Sequence, residues 1–435
     1  ASAETILGAY IYHRHGDRTA KLLPPVSLTD LGYREVWQSG LGLNERYIAA
    51  AGLTPIAGIS SPAVLQSQLT ASTSDDVVLM SSAQGFLQGL YPPLGNVTQT
   101  LRNTSAVPVP LDGFQIIPVH TVTAASSTSE SAGWLQGATG CANAETGSLE
   151  YYNTSEFATL MSSTQAFYQT LNPILNGTFT SAATTFQNAY TIFDTLNVAD
   201  IHNTTLNTSA FANWTDTLFQ VRTLADQHEW NLAYNASAPI RAVAGATVAA
   251  QILAALNTTV TGGGKSKLNV QFGSYGTFFS LFGLMQMPAA SALFMGMPDY
   301  ASYLSLELVT NASATPFPAP ADISVRFLYH NGTSAYGEQP AAYPMFGQPA
   351  VEMPWTSFAE QMSQIAIGTQ EQWCSACGNS TGTCTPAALG ISSTSPTTKK
   401  SGLSNAVAGV IGAVVALAVV LGAEALIMLL AGLRL

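Results

Sequence analysis

The sequence is short of charge. Of its 435 residues 9% are Asp, Glu, Lys or Arg, about a third of the roughly 25% usual in soluble domains. Bases are the scarcer kind, 14 Lys and Arg against 25 Asp and Glu, for a net charge of −11. Lys399-Lys400 is the one basic cluster outside a short N-terminal motif. No surface that could release counterions from a phosphate backbone is visible, which excludes nucleic acid as a partner. Cysteine is limited to Cys141, Cys374, Cys377 and Cys384. The Cys374-x-x-Cys377 pair has no second Cys pair or nearby His to complete a zinc site, so no metal is expected. An even number of cysteines reads as two disulfides in an oxidising compartment, with three pairings open. No cofactor is expected, and no repeat of solenoid length is present.

Solubility must then come from something other than charge. Twelve Asn-x-Ser/Thr sequons stand at Asn96, Asn103, Asn153, Asn176, Asn203, Asn207, Asn213, Asn235, Asn257, Asn311, Asn331 and Asn379. Their number, and their absence after residue 379, point to a glycosylated ectodomain. A chain that opens on Ala1 fits removal of a signal peptide. Residues 385–405 are rich in Ser, Thr and Pro and read as a stalk. Residues 406–433 are apolar apart from Glu424. At about 1.5 Å per residue they outspan a hydrocarbon core of roughly 30 Å. The favoured reading is a single transmembrane helix in the plasma membrane or a secretory or vacuolar membrane. The rival is a GPI-attachment signal at the cell surface. In the first reading the lipid bilayer is one partner. Glu424, costly in lipid, would then mark a contact with a membrane-protein partner, beside the small residues Gly409, Gly412, Ala416 and Gly422.

Hydrophobic patterning sets out the ectodomain. Residues 6–12, ILGAYIY, predict a buried strand. Thr29 is placed to cap a helix with Leu31, Val36 and Tyr47 on its apolar face. A second strand is expected at 55–61, a helix at 77–90 and a short strand at 116–119. From about 148 to 232 strand character gives way to helical spacing at 154–172, 181–196 and 210–231. A helix is expected over 239–256, opened by Pro239, and strands at 267–272 and 323–329. The domains predicted are an α/β unit of 1–147 and 233–384, a helical cap insertion of 148–232, the stalk of 385–405 and the membrane helix of 406–433.

The stretch Tyr12-His13-Arg14-His15-Gly16-Asp17-Arg18-Thr19-Ala20 concentrates charge where the rest of the chain has little. Arg14-His15-Gly16-Asp17-Arg18 resembles the RHGxR signature of the histidine acid phosphatases, in the phosphoglycerate-mutase-like superfamily, with Ala20 where that signature normally ends in Pro. The layout is similar over about 1–372, including Leu28, Thr29 and Gly32 of the helix that follows. Sequon density and tail resemble the fungal, membrane-anchored branch. The resemblance implies a three-layer α/β sandwich with a central mixed sheet and an inserted helical cap. It implies His15 as a nucleophile that carries a transient phosphoryl group. Arg14 and Arg18 would grip the phosphoryl oxygens, and Gly16 would admit close backbone approach. A phosphate-like anion or phosphomonoester is the implied ligand.

The family's remaining parts are not at their expected places. The third phosphate-binding arginine falls on Val77, or on Val78. The late His-Asp pair, which completes the pocket and protonates the leaving group, falls on Ser274-Tyr275. Residues 268–298 contain no His, Asp or Glu. His120, after the strand predicted at 116–119, is weighed as a pocket substitute against a loop role. Asp17 is weighed as a local salt-bridge partner against a proton donor, and the local role is favoured. His13 points away from Arg14, into the core. His202 falls in a sequon-dense loop, His228 at the end of an insertion helix, and His330 beside a sequon. Two functions are carried forward. One is a cell-surface protein of phosphatase fold with impaired or absent catalysis that binds an anion or a membrane partner. The other is an acid phosphomonoesterase working through phosphohistidine at His15 with a non-standard proton donor.

Overall fold

A mixed eight-stranded sheet organises the structure, a computed structural model that describes residues 4–122, 138–334, 338–386 and 388–390. The segment 406–433, Glu424 and the stalk from residue 391 lie outside the described residues. In chain order the strands are β1 (Thr5–Arg14), β2 (Leu69–Ser74), a separate hairpin of β3 (Thr98–Thr100) and β4 (Ala106–Pro108), then β5 (Val119–Val122), β6 (Leu268–Gly273), β7 (Tyr303–Thr310), β8 (Ser324–His330), β9 (Ala341–Tyr343) and β10 (Glu352–Pro354). The sheet runs β10-β8-β7-β1-β6-β2-β5, with β9 also paired to β8. β1, β6, β2 and β5 are parallel; β7, β8, β9 and β10 add antiparallel pairs.

The helices are α1 (Asp30–Tyr47), α2 (Val77–Leu90), α3 (Ala142–Leu149), α4 (Ser155–Thr170), α5 (Ala189–His202), α6 (Trp214–Ala233), α7 (Val243–Thr261), α8 (Tyr275–Leu284), α9 (Trp355–Ile365) and α10 (Gln370–Cys377). β1 is buried on both faces, so its sequence is almost continuously apolar. Its alternating side chains feed two cores. Ile6, Ala9 and Ile11 pack with Val36, Leu79 and Phe86 of α1 and α2. Leu7, Tyr10 and Tyr12 pack with Val248, Phe278 and Phe358 of α7, α8 and α9. A third core joins α4, α5 and α6 through Phe157, Tyr168, Ile192 and Val221, and takes in Tyr275 and Phe279 from α8.

Thr29 caps α1 as predicted, accepting from the Gly32 N–H. Val36 and Tyr47 are buried, but Leu31 is exposed, because α1 turns Gly32 rather than Leu31 toward the motif. A Cβ on Gly32 would stand 2.0 Å from the Asp17 carbonyl oxygen, and one on Gly16 would stand 2.2 Å from that of Gly32. Glycine at both positions lets helix and motif touch backbone to backbone. Residues 55–61 form no strand. They run as a loop beside β1, with the Ala57 N–H donating to Ile6. The second strand is instead β2, LTASTS, whose Thr73 and Ser74 are buried. The strand predicted at 116–119 begins at Val119.

Among the described residues one helical stretch, Pro239–Thr261, has the length and apolarity to cross a membrane. It lies against the sheet, with Val248, Ile252 and Leu256 fully buried, as a core helix does. On β7 the buried Glu307 accepts from Arg46 at 2.6 Å, Arg326 at 2.7 Å and the Tyr47 hydroxyl at 2.7 Å. The pairing left open by the sequence is Cys141–Cys377 and Cys374–Cys384.

Candidate functional site

β1 and β6 end side by side, with Arg14 opposite Gly273. β2 lies against β6 in the same direction, so the motif leaves the sheet at the carboxyl ends of its parallel strands, where open α/β sheets place their ligands. The loop after Met297 closes the other side. Arg14 N–H donates to Ser302, and Ala301 N–H donates to His15.

His15 is fully buried, and its Nδ1 lies 2.7 Å from the Gly16 carbonyl oxygen. A carbonyl only accepts, so Nδ1 carries the proton and the lone pair sits on Nε2, the nitrogen that would attack phosphorus. The Gly16 N–H donates to Ser82 on α2. Arg14 donates to the Pro298 carbonyl, and its guanidinium lies 4.6 Å from the Tyr300 ring centroid and 5.5 Å from that of Tyr275. Burial pushes the Tyr300 phenol above its ordinary value.

Arg18 is engaged by α5. Its Nη2 donates to Asp194 on α5 at 2.8 Å and its Nη1 to the same carboxylate at 3.3 Å, and Nη2 also reaches the Tyr190 hydroxyl at 3.0 Å. The Lys21 N–H donates to Asp194 as well. Both members of the ion pair are buried. A bidentate carboxylate on a buried guanidinium uses the donors that a phosphoryl group would need. Lys21 extends its ammonium over Tyr190 and Tyr275 at 5.6 and 5.7 Å. A cavity of about 30 Å³ remains beside Arg14, Asp194, Arg222, Asp299 and Tyr300, about the share of one molecule in liquid water.

The sequence-predicted residues divide. Arg14, His15 and Arg18 gather around Tyr300 beyond the carboxyl end of β1, and Tyr275 lies beside Arg14. Ser274 is the N-cap residue of α8, and Tyr275, its first residue, sends its hydroxyl to Glu229 on α6 at 2.7 Å. Val77 opens α2 and is 62% exposed. His120 is not in the pocket. It lies within edge strand β5, opposite Ser72, with its side chain exposed. Asp17 accepts from the Thr29 hydroxyl and pairs with the distant His202 at 2.6 Å, not with a neighbour in the motif. His202 is the last residue of α5 rather than part of a loop. His13 is buried in the core beside Phe86, Phe272 and Tyr303, and burial lowers its pKa to about 3.

Tyr190, Asp194 and Lys21 were not predicted. The first two lie more than 170 positions from the motif, and no local pattern marks them. Two carboxyls near Arg14 hold their protons unusually well. Glu35, which accepts the Asp17 N–H at 2.7 Å, is raised by burial to about 7. Asp226 is raised by burial to about 6 while accepting from the Met297 N–H. Each sequon asparagine is exposed or half-exposed. Among the described residues no cluster of His, Cys, Asp and Glu could hold a metal.

The chain matches the Histidine phosphatase superfamily (branch 2) over residues 23–330. It therefore belongs to that family, with the motif on the strand just before the matched span. A comparison with curated proteins returns no match. Among solved structures it is similar to the phytase of Klebsiella sp ASR1, at 11% identity and a TM-score of 0.57 over 85% of this chain and 99% of that one. The Citrobacter braakii phytase is similar at 13% and 0.56, over 86% and 99%. The Hafnia alvei phytase in complex with myo-inositol hexakis sulphate is similar at 12% and 0.55, over 87% and 99%. At such identities the likeness is one of fold.

Proposed function

We propose that this protein is a catalytically impaired member of the histidine acid phosphatases that binds a phosphate-like anion beside His15. The observation that carries this reading is the bidentate hold of Asp194 on Arg18. The same site has Ser274 and Tyr275 in place of an imidazole and a proton donor. Losing a general acid typically costs about 10²–10⁴ in rate. Losing one preorganised donor costs roughly a further 10²–10³, by analogy with oxyanion-hole mutants. The setting that fits is a glycosylated ectodomain of the fungal, membrane-anchored kind, carried by a stalk and the segment 406–433, with Glu424 toward a membrane partner. The second domain of this reading is the inserted helical cap of 148–232. A GPI anchor is the rival; release of the protein from membranes by a phosphatidylinositol-specific phospholipase would establish it and remove the spanning helix.

A second reading, an active acid phosphomonoesterase, is favoured by the tautomer that Gly16 imposes on His15. In it a protonated Glu35 or Asp226 would supply the missing proton. Hydrolysis of an aryl phosphate, whose leaving group needs little acid help, separates the two. The impaired reading expects no turnover by the purified protein beyond that of His15→Ala. Robust turnover abolished by His15→Ala would establish the enzyme instead.

A further inference from the structure

We infer that Asp194 sets the ligand class of the His15 site: small anions with a single phosphate- or sulfate-sized group are admitted, and polyphosphates are excluded. This rests on the anion-binding reading above and narrows it. Three cations stand at the site, and each is already engaged. Arg14 donates to Pro298 and lies against Tyr300. Arg18 is shared between both oxygens of Asp194 and the Tyr190 hydroxyl. Lys21 lies over two tyrosine rings.

The segment 148–232 is strongly acidic on balance. Residues 148–232 contain seven Asp and Glu against a single Arg, Arg222. Arg222 itself pairs with Asp299 at 2.5 Å and with Asp226 at 4.0 Å. Glu229 closes the Tyr275 side. A single phosphoryl group could win Arg18 from Asp194, because both are anions competing for one planar fork. A second or third phosphate on the same molecule would find the carboxylates of Asp194, Asp299 and Glu229, and beside them Arg222, already paired with Asp299 and Asp226. Like charges a few ångströms apart near a protein surface repel strongly. Each added phosphate therefore costs affinity. The fold shared with phytases does not carry a phytase's ligand with it.

Isothermal titration of the full-length protein in detergent tests this, with inorganic phosphate and myo-inositol hexakisphosphate as probes at fixed low salt. Wild type is expected to bind phosphate at least as tightly as the hexakisphosphate. Asp194→Asn loosens the hold on Arg18 and removes a negative charge. It is expected to bind phosphate about tenfold more tightly and to gain more for the hexakisphosphate than for phosphate. Damage to the fold would weaken both anions alike, so a changed ranking reports charge and not collapse. Hexakisphosphate binding tenfold tighter than phosphate in wild type would overturn the inference while leaving the anion site standing, with no variant needed. An unchanged phosphate affinity in a folded Asp194→Asn protein would also overturn it. No binding of either anion by either protein would overturn the anion-site reading itself.

Discussion

His202, the last residue of α5, places its Nε2 2.6 Å from the Asp17 carboxylate. With Arg18–Asp194 this makes two carboxylate contacts between α5 and one five-residue motif. They differ in burial: His202 is 36% exposed, while Arg18 and Asp194 are 0% and 4% exposed. Asp17 is itself 0% exposed, but a partner open to water on the His202 side is screened, and such pairs contribute about 0–1 kcal/mol. His202→Ala is expected to lower unfolding stability by less than about 1 kcal/mol. Asp17→Ala is expected to cost about 1–3 kcal/mol, because it also strips the buried acceptor from Thr29. Urea unfolding followed by circular dichroism would compare them; equal losses would mean that Thr29 draws nothing from Asp17.

The touching backbones of Gly16 and Gly32 predict a steric effect. Gly32→Ala forces the start of α1 away from the Asp17 carbonyl. A loss of about 1–3 kcal/mol is expected, in the range of overpacked cores. Gly276→Ala, with nothing within 4 Å of the added carbon, is the control and should change little. Thermal melts of the two variants decide it.

Glu307 holds Arg46, Arg326 and Tyr47 in the interior. Glu307→Gln leaves Arg46 without its carboxylate partner, while Arg326 keeps Glu4 at 2.8 Å. Removing one partner of a buried ion pair typically costs about 3–5 kcal/mol. Chemical denaturation should register that loss, and a change under 1 kcal/mol would show that Arg46 finds water instead.

Glu35 gives a pH dependence. Burial raises its pKa from 4.5 to about 7 in the folded protein. Between those values the folded state holds a proton that the unfolded state has released, so stability from this group falls as pH rises through that window. Below pH 4.5 Glu35 has no effect. Glu35→Gln keeps an oxygen for the Asp17 N–H but cannot ionise. The melting temperature of the variant minus that of wild type should therefore rise from pH 5 to pH 8. His13, lowered by burial to about 3, acts in the opposite sense in both proteins and cancels in this difference. A flat difference across that range would mean that Glu35 titrates as an exposed carboxylate.

The two disulfides should contribute unequally. Cys141–Cys377 spans 236 positions and Cys374–Cys384 spans 10. Chain entropy gives about 5 kcal/mol for the longer closure and about 3 for the shorter. Cys141→Ser/Cys377→Ser is thus expected to lose more stability than Cys374→Ser/Cys384→Ser, read by denaturant unfolding under oxidising conditions. The reverse order would place the effect in native-state strain.

Local chemistry decided which parts could be read from the sequence. The motif stood out because four charged or imidazole side chains follow an apolar strand, and Thr29 and α2 followed from capping and spacing. β2 hid because LTASTS lacks the branched apolar residues of a central strand; its small hydroxyl side chains are buried all the same. The loop at 55–61 looked like a strand because Ile56 is buried there without a ladder. Asp194, Tyr190 and His202 are ordinary polar residues on an amphipathic helix. Tertiary folding alone brings them to the motif, so no periodicity could nominate them.

The Cys141–Cys377 bridge encloses every residue of α3 to α9 between its two ends. A protease that nicks any loop within that span leaves one covalent particle. Cleavage would then be invisible on a non-reducing gel and would appear as two pieces on reduction. A protein clipped this way would keep both pieces together long after its chain had ceased to be continuous.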